Sequence, residues 1–252
     1  MKISSIIIVK NEEANIERCL KSQLQCIDEI IVIIDEKSED KTLDIVKSFP
    51  NVKYEVTKWM GYSKTKEYAV TLASNEWIFW IDADEVITKE LSNEINSLRN
   101  KDIPFSAYSV PRKANFLGRW ILHSGWYPGR VTRLFNKNKV HFSDKTVHEH
   151  LIVDGKVGEL HSDMEHYTDP TIHHYFNKFN IYTSLSAEEL YSKGKNFSLF
   201  DVLIRPPFLF IKMYLFKRGF LDGLQGLMLA LFSSAYVFTK YCKLWELKIK
   251  KG

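Results

Sequence analysis

The chain has 252 residues, 45% hydrophobic and 26% charged, enough for a sizeable core in one α/β domain with or without an appendage. Its 35 basic and 31 acidic residues leave a net charge of +4, too mild to argue for nucleic acid but compatible with anionic ligands or a lipid surface. Three cysteines, Cys19, Cys26 and Cys242, are odd in number and lack metal-ligand spacing, which argues against a disulfide framework and for a reducing cytosol.

The opening MKISSIIIVKNEE is apolar for only a few residues, so it reads as a first strand, Ile3 to Val9, and not as a signal peptide. Lys10, Asn11 and Glu12 follow it, and Ile16, Cys19, Leu20 and Leu24 then recur at helical spacing. Glu29 to Ile34 is a second buried strand that ends in the polar run Asp35 to Asp40. Leu43, Val46 and Phe49 mark the inner face of a second helix, which Pro50 stops. Val52 to Val56 is a third strand, and Tyr68, Ala69, Leu72 and Ala73 mark a third helix. Trp77 to Ile81 is apolar without alternation, as a strand buried on both faces would be, and it runs straight into Asp82, Ala83 and Asp84. Strands and helices alternating at these lengths require right-handed crossovers and a parallel, doubly wound sheet. Polar residues follow the first, second and fourth strands, which places them on one edge of that sheet.

Thr88 is a good N-cap for a helix carrying Leu91, Ile95 and Leu98. Beyond it the pattern changes to short strands, with Ala107 to Pro111 and Val131 to Phe135 the clearest. A histidine-rich stretch, His141, His148, His150, His161 and His166, follows. We read residues 1–198 as a catalytic domain, with a nucleotide-type half over 1–100 and a mixed-sheet half over 101–198. A helix over Ile172 to Leu190 precedes a C-terminal region, 199–252, whose apolar runs are broken by Arg205, Pro206 and Pro207 and punctuated by lysines. The run from Leu224 to Phe238 falls short of the ~20 apolar residues that span a bilayer. The expectation is a pair of amphipathic helices lying in the membrane interface, with a helical subdomain or a contact between subunits as the alternative.

A dry strand ending in two acids one residue apart is a local conflict of the kind that marks functional sites. Asp82 and Asp84 suit a hard divalent cation already carrying phosphate oxygens, although a polar turn capping the next helix would read the same way. The His148-Glu149-His150 run is not the HExxH zinc pattern, because its second histidine is two residues on instead of four.

The ordered set of Lys10-Asn11-Glu12, Asp35 with Ser38 and Asp40, Gly61 to Lys66, and Asp82-Ala83-Asp84 resembles family 2 of the inverting glycosyltransferases, with the GT-A fold. The stretches WYPGRVTRLF, TVHEHL, His166-Tyr167, RGFLDGLQG and KYCKLWE are similar to bacterial lipopolysaccharide-core glucosyltransferases. The resemblance implies a doubly wound mixed α/β sheet with a C-terminal helical extension, a UDP-sugar donor such as UDP-glucose, and Mg²⁺ or Mn²⁺. It also implies a lipid-linked or lipopolysaccharide acceptor, and hence a cytoplasmic enzyme held peripherally at the inner membrane. Residue by residue, Asp35 matches the acid that meets the uracil ring, Lys10, Asn11 and Glu12 the loop against base and ribose, and Lys66 the basic residue near the diphosphate. Glu67 follows Lys66 where the family often has Asn. Asp82 matches the residue reaching the ribose, Asp84 the metal ligand, and His166 a candidate third ligand after Asp82 and Asp84. Arg130 and Arg133 are candidates for the diphosphate or an anionic acceptor.

Inversion in a single displacement needs a general base opposite the leaving group. Glu149 is the choice here, with Asp144 and Asp163 as rivals. Two other classes compete. A nucleotidyltransferase shares the α/β sheet and Mg²⁺ but usually carries a glycine-rich loop after its first strand, and Val9-Lys10-Asn11-Glu12 has no glycine. A catalytically inactive membrane-bound scaffold would keep the fold alone.

Overall fold

The computed structural model describes residues 1–101, 103–142 and 151–251. Glu149 and its rival Asp144 therefore lie outside the described residues. The chain folds into two compact units, one of Met1–Arg112 with Arg130–His166 and one of Lys113–Gly129 with Tyr167–Gly252.

The first unit opens with β1 (Ile3–Val9), α1 (Ile16–Gln23), β2 (Glu29–Asp35), α2 (Thr42–Lys47), β3 (Val52–Thr57), α3 (Tyr62–Leu72) and β4 (Trp77–Trp80). Next come the short β5 (Glu85–Ile87), α4 (Lys89–Leu98) and β6 (Ala107–Val110); α4 is capped as expected, by the Thr88 hydroxyl accepting the Leu91 N–H at 3.2 Å. β7 (Arg112–Phe116) and β8 (Arg119–Ile121) carry the chain into the second unit. β9 (Val131–Asn136), β10 (Val140–Phe142), β11 (Leu151–Val153), β12 (Val157–Glu159) and the start of β13 (Met164–Asp169) return to the first.

Seven strands form one sheet in the order β12-β6-β9-β4-β1-β2-β3. β1 pairs in parallel with both β2 and β4, β2 pairs in parallel with β3, and β9 runs antiparallel between β4 and β6. The sheet is thus mixed and doubly wound. Alternate side chains on each central strand face opposite ways. Ile3, Ile7, Val9, Val32, Ile34, Phe79 and Ile81 bury against α1, α2 and α4 on one face. Ile6, Ile31, Ile33, Ile78 and Trp80 bury against Ala69 and Ala73 at α3 on the other. This two-sided burial is why the central strands read as continuous apolar runs. The chain moves outward from β1 through β2 to β3, then jumps back across β1 to β4. The reversal opens a crevice at the carboxyl ends of β1 and β4.

The opposite edge of the sheet is tied by Glu29. One of its oxygens accepts from Lys53 Nζ at 2.6 Å and Ser74 Oγ at 2.8 Å, and the other accepts from the Ser74 N–H at 2.8 Å and from the Ser4 hydroxyl. These bonds hold β1, β2, β3 and the turn into β4 in register.

In the second unit, β7 and β8 form a hairpin whose two turn residues, Leu117 and Gly118, both have positive φ. That is the backbone twist a two-residue hairpin needs. α5 (Ile172–Ser192), α6 (Leu199–Leu203), α7 (Arg205–Ile211), a π-turn over Lys212–Phe216, a 3-10 turn over Gly219–Asp222 and α8 (Gly223–Lys251) follow. Tyr175 and Phe176 of α5 pack around Phe232 of α8 at ring separations of 5.1 and 5.0 Å. Buried Asp222 accepts the N–H groups of Leu122 and His123 and pairs with the His123 ring at 2.9 Å.

α8 does not end near Phe238, where the apolar run stops. Counted with the turn before it, Gly219–Lys250 is a 32-residue helix long and apolar enough, by length and composition, to cross a membrane. The continuation follows from the lysines themselves, which are good helix formers. Lys243 also finds partners, its Nζ donating to Asn180 O at 2.9 Å and to the Thr183 and Ser184 hydroxyls of α5 at 2.9 and 2.8 Å.

Burial tends to raise the Glu29 pKa, but the bonds from Lys53, Ser4 and Ser74 outweigh it and hold the group at about 2. A depressed carboxylate adds stability that is complete above its unfolded pKa and lost as pH falls through its folded one. Glu29→Gln is therefore expected to cost about 1–3 kcal/mol at neutral pH and progressively less between about pH 4 and pH 2. Urea melts of both proteins across that window check it.

Candidate active site

The site lies at the carboxyl edge of the seven-stranded sheet, where the polar loops after β1, β2 and β4 emerge. Asp35 is the last residue of β2 and is 6% exposed. Its Oδ1 accepts the Lys37 N–H at 3.0 Å, and Lys10 Nζ stands 3.6 Å from its Oδ2. The two residues line a cavity of about 370 Å³ with Ile8, Val9, Glu12 and Trp59. Carboxylate, ammonium and indole around one hollow suit a planar, hydrogen-bonding base.

Asn11 is placed by its backbone. With φ at 54° it turns the loop after β1 so that its side-chain oxygen accepts the Glu39 N–H at 2.8 Å, while its own N–H donates to Ser38 Oγ. Asn11 thus braces two loops against each other. Glu12 lines the cavity and forms the turn leading into α1, its carbonyl accepting the Asn15 and Ile16 N–H groups.

The acidic stretch after β4 divides its work. Asp82 Oδ2 and Glu85 Oε1 each accept from Arg133 of β9 at 2.5 Å, and Arg112 reaches the same Glu85 oxygen at 3.1 Å. Glu85 is fully buried, so the two guanidinium groups offset a charge that no water reaches. For Asp82 desolvation pulls the pKa up, but the charge and hydrogen bond of Arg133, with Lys66 and Arg112 beyond, bring it down to about 2. Asp82 is ionised throughout the physiological range. Beneath the turn, the buried Cys19 thiol lies 3.5 Å from the Asp82 carbonyl, and burial followed by the charges of Glu85, Asp82 and Asp84 keeps it protonated.

Asp84 points elsewhere. Its Oδ2 is 3.2 Å from His166 Nε2, and both side chains are mostly buried. The cause is strand pairing: β13 runs antiparallel to β5 with His166 opposite Glu85, one residue after Asp84. A carboxylate oxygen and an imidazole nitrogen facing each other are a donor pair that Mg²⁺ or Mn²⁺ accepts, Mn²⁺ more readily. Of the three residues expected to gather around a metal, the structure brings Asp84 and His166 together and ties Asp82 to Arg133. Among the described residues no group of three or more His, Cys, Asp or Glu side chains is placed to hold an ion.

Lys66 lies on α3 with its Nζ 3.6 Å above the Trp80 ring, close enough for its charge to act on Asp82. Arg130 directly precedes β9 and donates to the Leu160 carbonyl at 2.9 Å, with Glu159 at 3.4 Å. It is held by Ser109 of β6, by Leu160 and by Glu159 of β12. Trp59, Arg112 and the bridging role of Arg133 were not foreseen. The aromatic at the end of a third parallel strand was the one available signal for Trp59.

Comparison with known proteins gives the same reading. Residues 4–153 match the family model described as glycosyl transferase family 2. The chain is 32% identical over 261 residues to an uncharacterized glycosyltransferase of Rickettsia typhi, covering 99% of this chain and 88% of the relative. It is 27% identical over 253 residues to the lipopolysaccharide core biosynthesis glycosyltransferase LpsC of Rhizobium meliloti, covering 98% and 93%. Among solved structures, the mannosyltransferase PcManGT of Pyrobaculum calidifontis, in complex with GDP-Man and Mn²⁺, superposes with a TM-score of 0.57 at 13% identity, over 97% of this chain and 87% of that one. That likeness shows a shared GT-A fold. By the family model and the Rickettsia relative, the chain belongs to glycosyl transferase family 2.

Proposed function

We propose that this glycosyltransferase moves a hexose, as UDP-glucose or a related UDP-hexose, to a lipid-linked or lipopolysaccharide acceptor at the cytoplasmic face of a membrane, with inversion and with a divalent cation. The observation that carries the reading is the Asp84–His166 pair at the end of β4, on the same sheet edge as the Asp35 cavity. β2 and β4 both flank β1, so a nucleoside held at the end of β2 would direct its diphosphate across β1 towards Asp84.

In this reading Asp35 accepts from the uracil ring, Lys10, Asn11 and Glu12 border base and ribose, and Lys66 faces the diphosphate. Asp82, held by Arg133, presents its remaining lone pairs to the ribose. Asp84 and His166 would hold the cation, which when bound supplies neutralisation of the charge on the departing nucleoside diphosphate. An acceptor hydroxyl, its proton taken by Glu149, attacks the anomeric carbon from the face opposite the diphosphate. The new glycosidic bond forms as the anomeric carbon–phosphate oxygen bond breaks, and UDP carries away the bonding electrons.

Asp84→Ala is expected to abolish transfer and to remove the Mn²⁺-dependence of UDP binding, with His166→Ala weakening it roughly 10–100-fold. Calorimetric titration of UDP with and without EDTA measures both. Unchanged metal-dependence in Asp84→Ala would refute the assignment.

Asp35→Ala should weaken UDP about 10–100-fold whether or not metal is present, the usual cost of a lost charge-assisted hydrogen bond. The same titration distinguishes this from the metal effect, and equal loss of glucose 1-phosphate affinity would argue against a base-binding role.

Glu149→Gln should lower kcat by roughly 10²–10⁴ with UDP affinity kept. Steady-state kinetics with a pH profile test this, and a variant that loses UDP affinity at unchanged kcat would move Glu149 to the donor side.

A further inference from the structure

The second unit carries a surface that the chemistry above does not use. Between Leu199 and Leu224, eleven large apolar side chains are each more than 40% exposed. They are not scattered. Along α7 and the π-turn, Pro206 and Met213 point into the core, whereas Ile204, Phe208, Ile211 and Leu215 recur outward at helical spacing. Phe216, in the last position of the π-turn, is 73% exposed. Leu199, Phe200 and Leu203 extend the same exposure along α6.

The charges on this segment are sorted. Its two acids, Asp201 and Asp222, are 1% and 2% exposed and bound inside the unit, by Lys195 and Arg205 for Asp201 and by the Leu122–His123 backbone and ring for Asp222. Its exposed charges are all cationic. Arg205 is partly committed to Asp201, whereas Lys212, Lys217 and Arg218 are exposed with no carboxylate partner among the described residues. Exposed phenylalanines and leucines bracketed by cations, with every acid withdrawn, complement the interface of an anionic bilayer, with rings at the acyl boundary and ammonium groups at the phosphates. A second copy fits worse, because a two-fold contact on this face would set cations against cations.

We infer that the surface made by α6, α7 and the π-turn, from Leu199 to Phe216 with Lys217 and Arg218 at its rim, docks on an anionic lipid bilayer. α8 is packed against α5 through Tyr241 and Leu244, and the anchor is assigned to α6 and α7 and not to the exposed Trp245 and Ile249 of α8. The inference deepens the proposed function and rests on its membrane-face location, but it uses none of the residues assigned to donor, metal or acceptor.

The test is flotation of the full chain with vesicles of phosphatidylglycerol and, separately, of phosphatidylcholine. Binding is expected to the first and to be weaker with the second, falling with added salt. Lys212→Gln with Lys217→Gln should lower the partition coefficient about twenty-fivefold, each cation near the surface being worth roughly fivefold. Phe208→Ser with Phe216→Ser should lower it at least as much, and Trp245→Ser with Ile249→Ser should leave it unchanged. Each altered side chain is exposed, and circular dichroism and UDP titration verify that the variants remain folded and nucleotide-competent. Equal binding to both lipids, loss through the α8 pair alone, or no flotation with a dimer that the phenylalanine variants dissociate would each overturn the proposal. The UDP titration is unaffected by any of these outcomes, so failure here is separable from failure of the catalytic reading.

Discussion

The site depends on one buried cation. Arg133 sits on β9, a strand that runs against the direction of β4, and its guanidinium closes on Asp82 and Glu85 within hydrogen-bonding distance. Without it, the turn after β4 would hold three acids within four residues, one of them wholly inside the protein. Removing one partner of such an arrangement generally costs about 3–5 kcal/mol, because the remaining charge has no solvent to retreat to. With Arg112 sharing Glu85, the turn becomes a rigid platform with one carboxylate, Asp84, left to face His166. The mixed character of the sheet is therefore not incidental. An all-parallel sheet would lack the β9 position from which Arg133 reaches back to the end of β4.

The two edges of the same sheet have been given different work. At the amino edge of β2, both Glu29 oxygens are taken up by Ser4, Lys53 and Ser74. At the carboxyl edge, Asp35 keeps room beside it and the loops are fastened to one another through Asn11 and Ser38. Stability and binding thus draw on opposite ends of identical strands, as the crevice rule for open α/β sheets expects.

Much of this was legible in the sequence, for identifiable reasons. Strands buried on both faces produce unbroken apolar runs, and the placement of Lys10, Asp35 and Asp82 after such runs puts them on one edge of the sheet. The cap at Thr88 followed from local chemistry alone. Long-range pairing was less accessible. Arg133 reads from sequence as a candidate for the diphosphate or an anionic acceptor, because sequence gives no sign that its strand lies beside β4. Trp59 stands in a polar loop with no periodicity around it. α8 ran past its apolar segment with Lys243 satisfied by the Asn180 carbonyl and the Thr183 and Ser184 hydroxyls of α5, partners about sixty residues away that spacing rules do not reach. The C-terminal region was read as amphipathic, but which faces stay uncovered emerged only from the packing of α7.

The pairing of β13 with β5 has a consequence for how such sites vary. His166 meets Asp84 through strand register, with His166 opposite Glu85, and not through any fixed distance along the chain. Between those strands lie α4, the β7–β8 hairpin and the loops around them, whose lengths do not enter the register so long as β7 and β9 keep Arg112 and Arg133 on the acidic turn. A slip of one residue in β13, by contrast, would turn the imidazole to the other face of the ladder and put Glu165 or Tyr167 in its place. Insertions in the intervening loops should thus be frequent and harmless across such chains, whereas a single inserted residue between Met164 and His166 would disconnect Asp84 from its partner while leaving every motif residue intact.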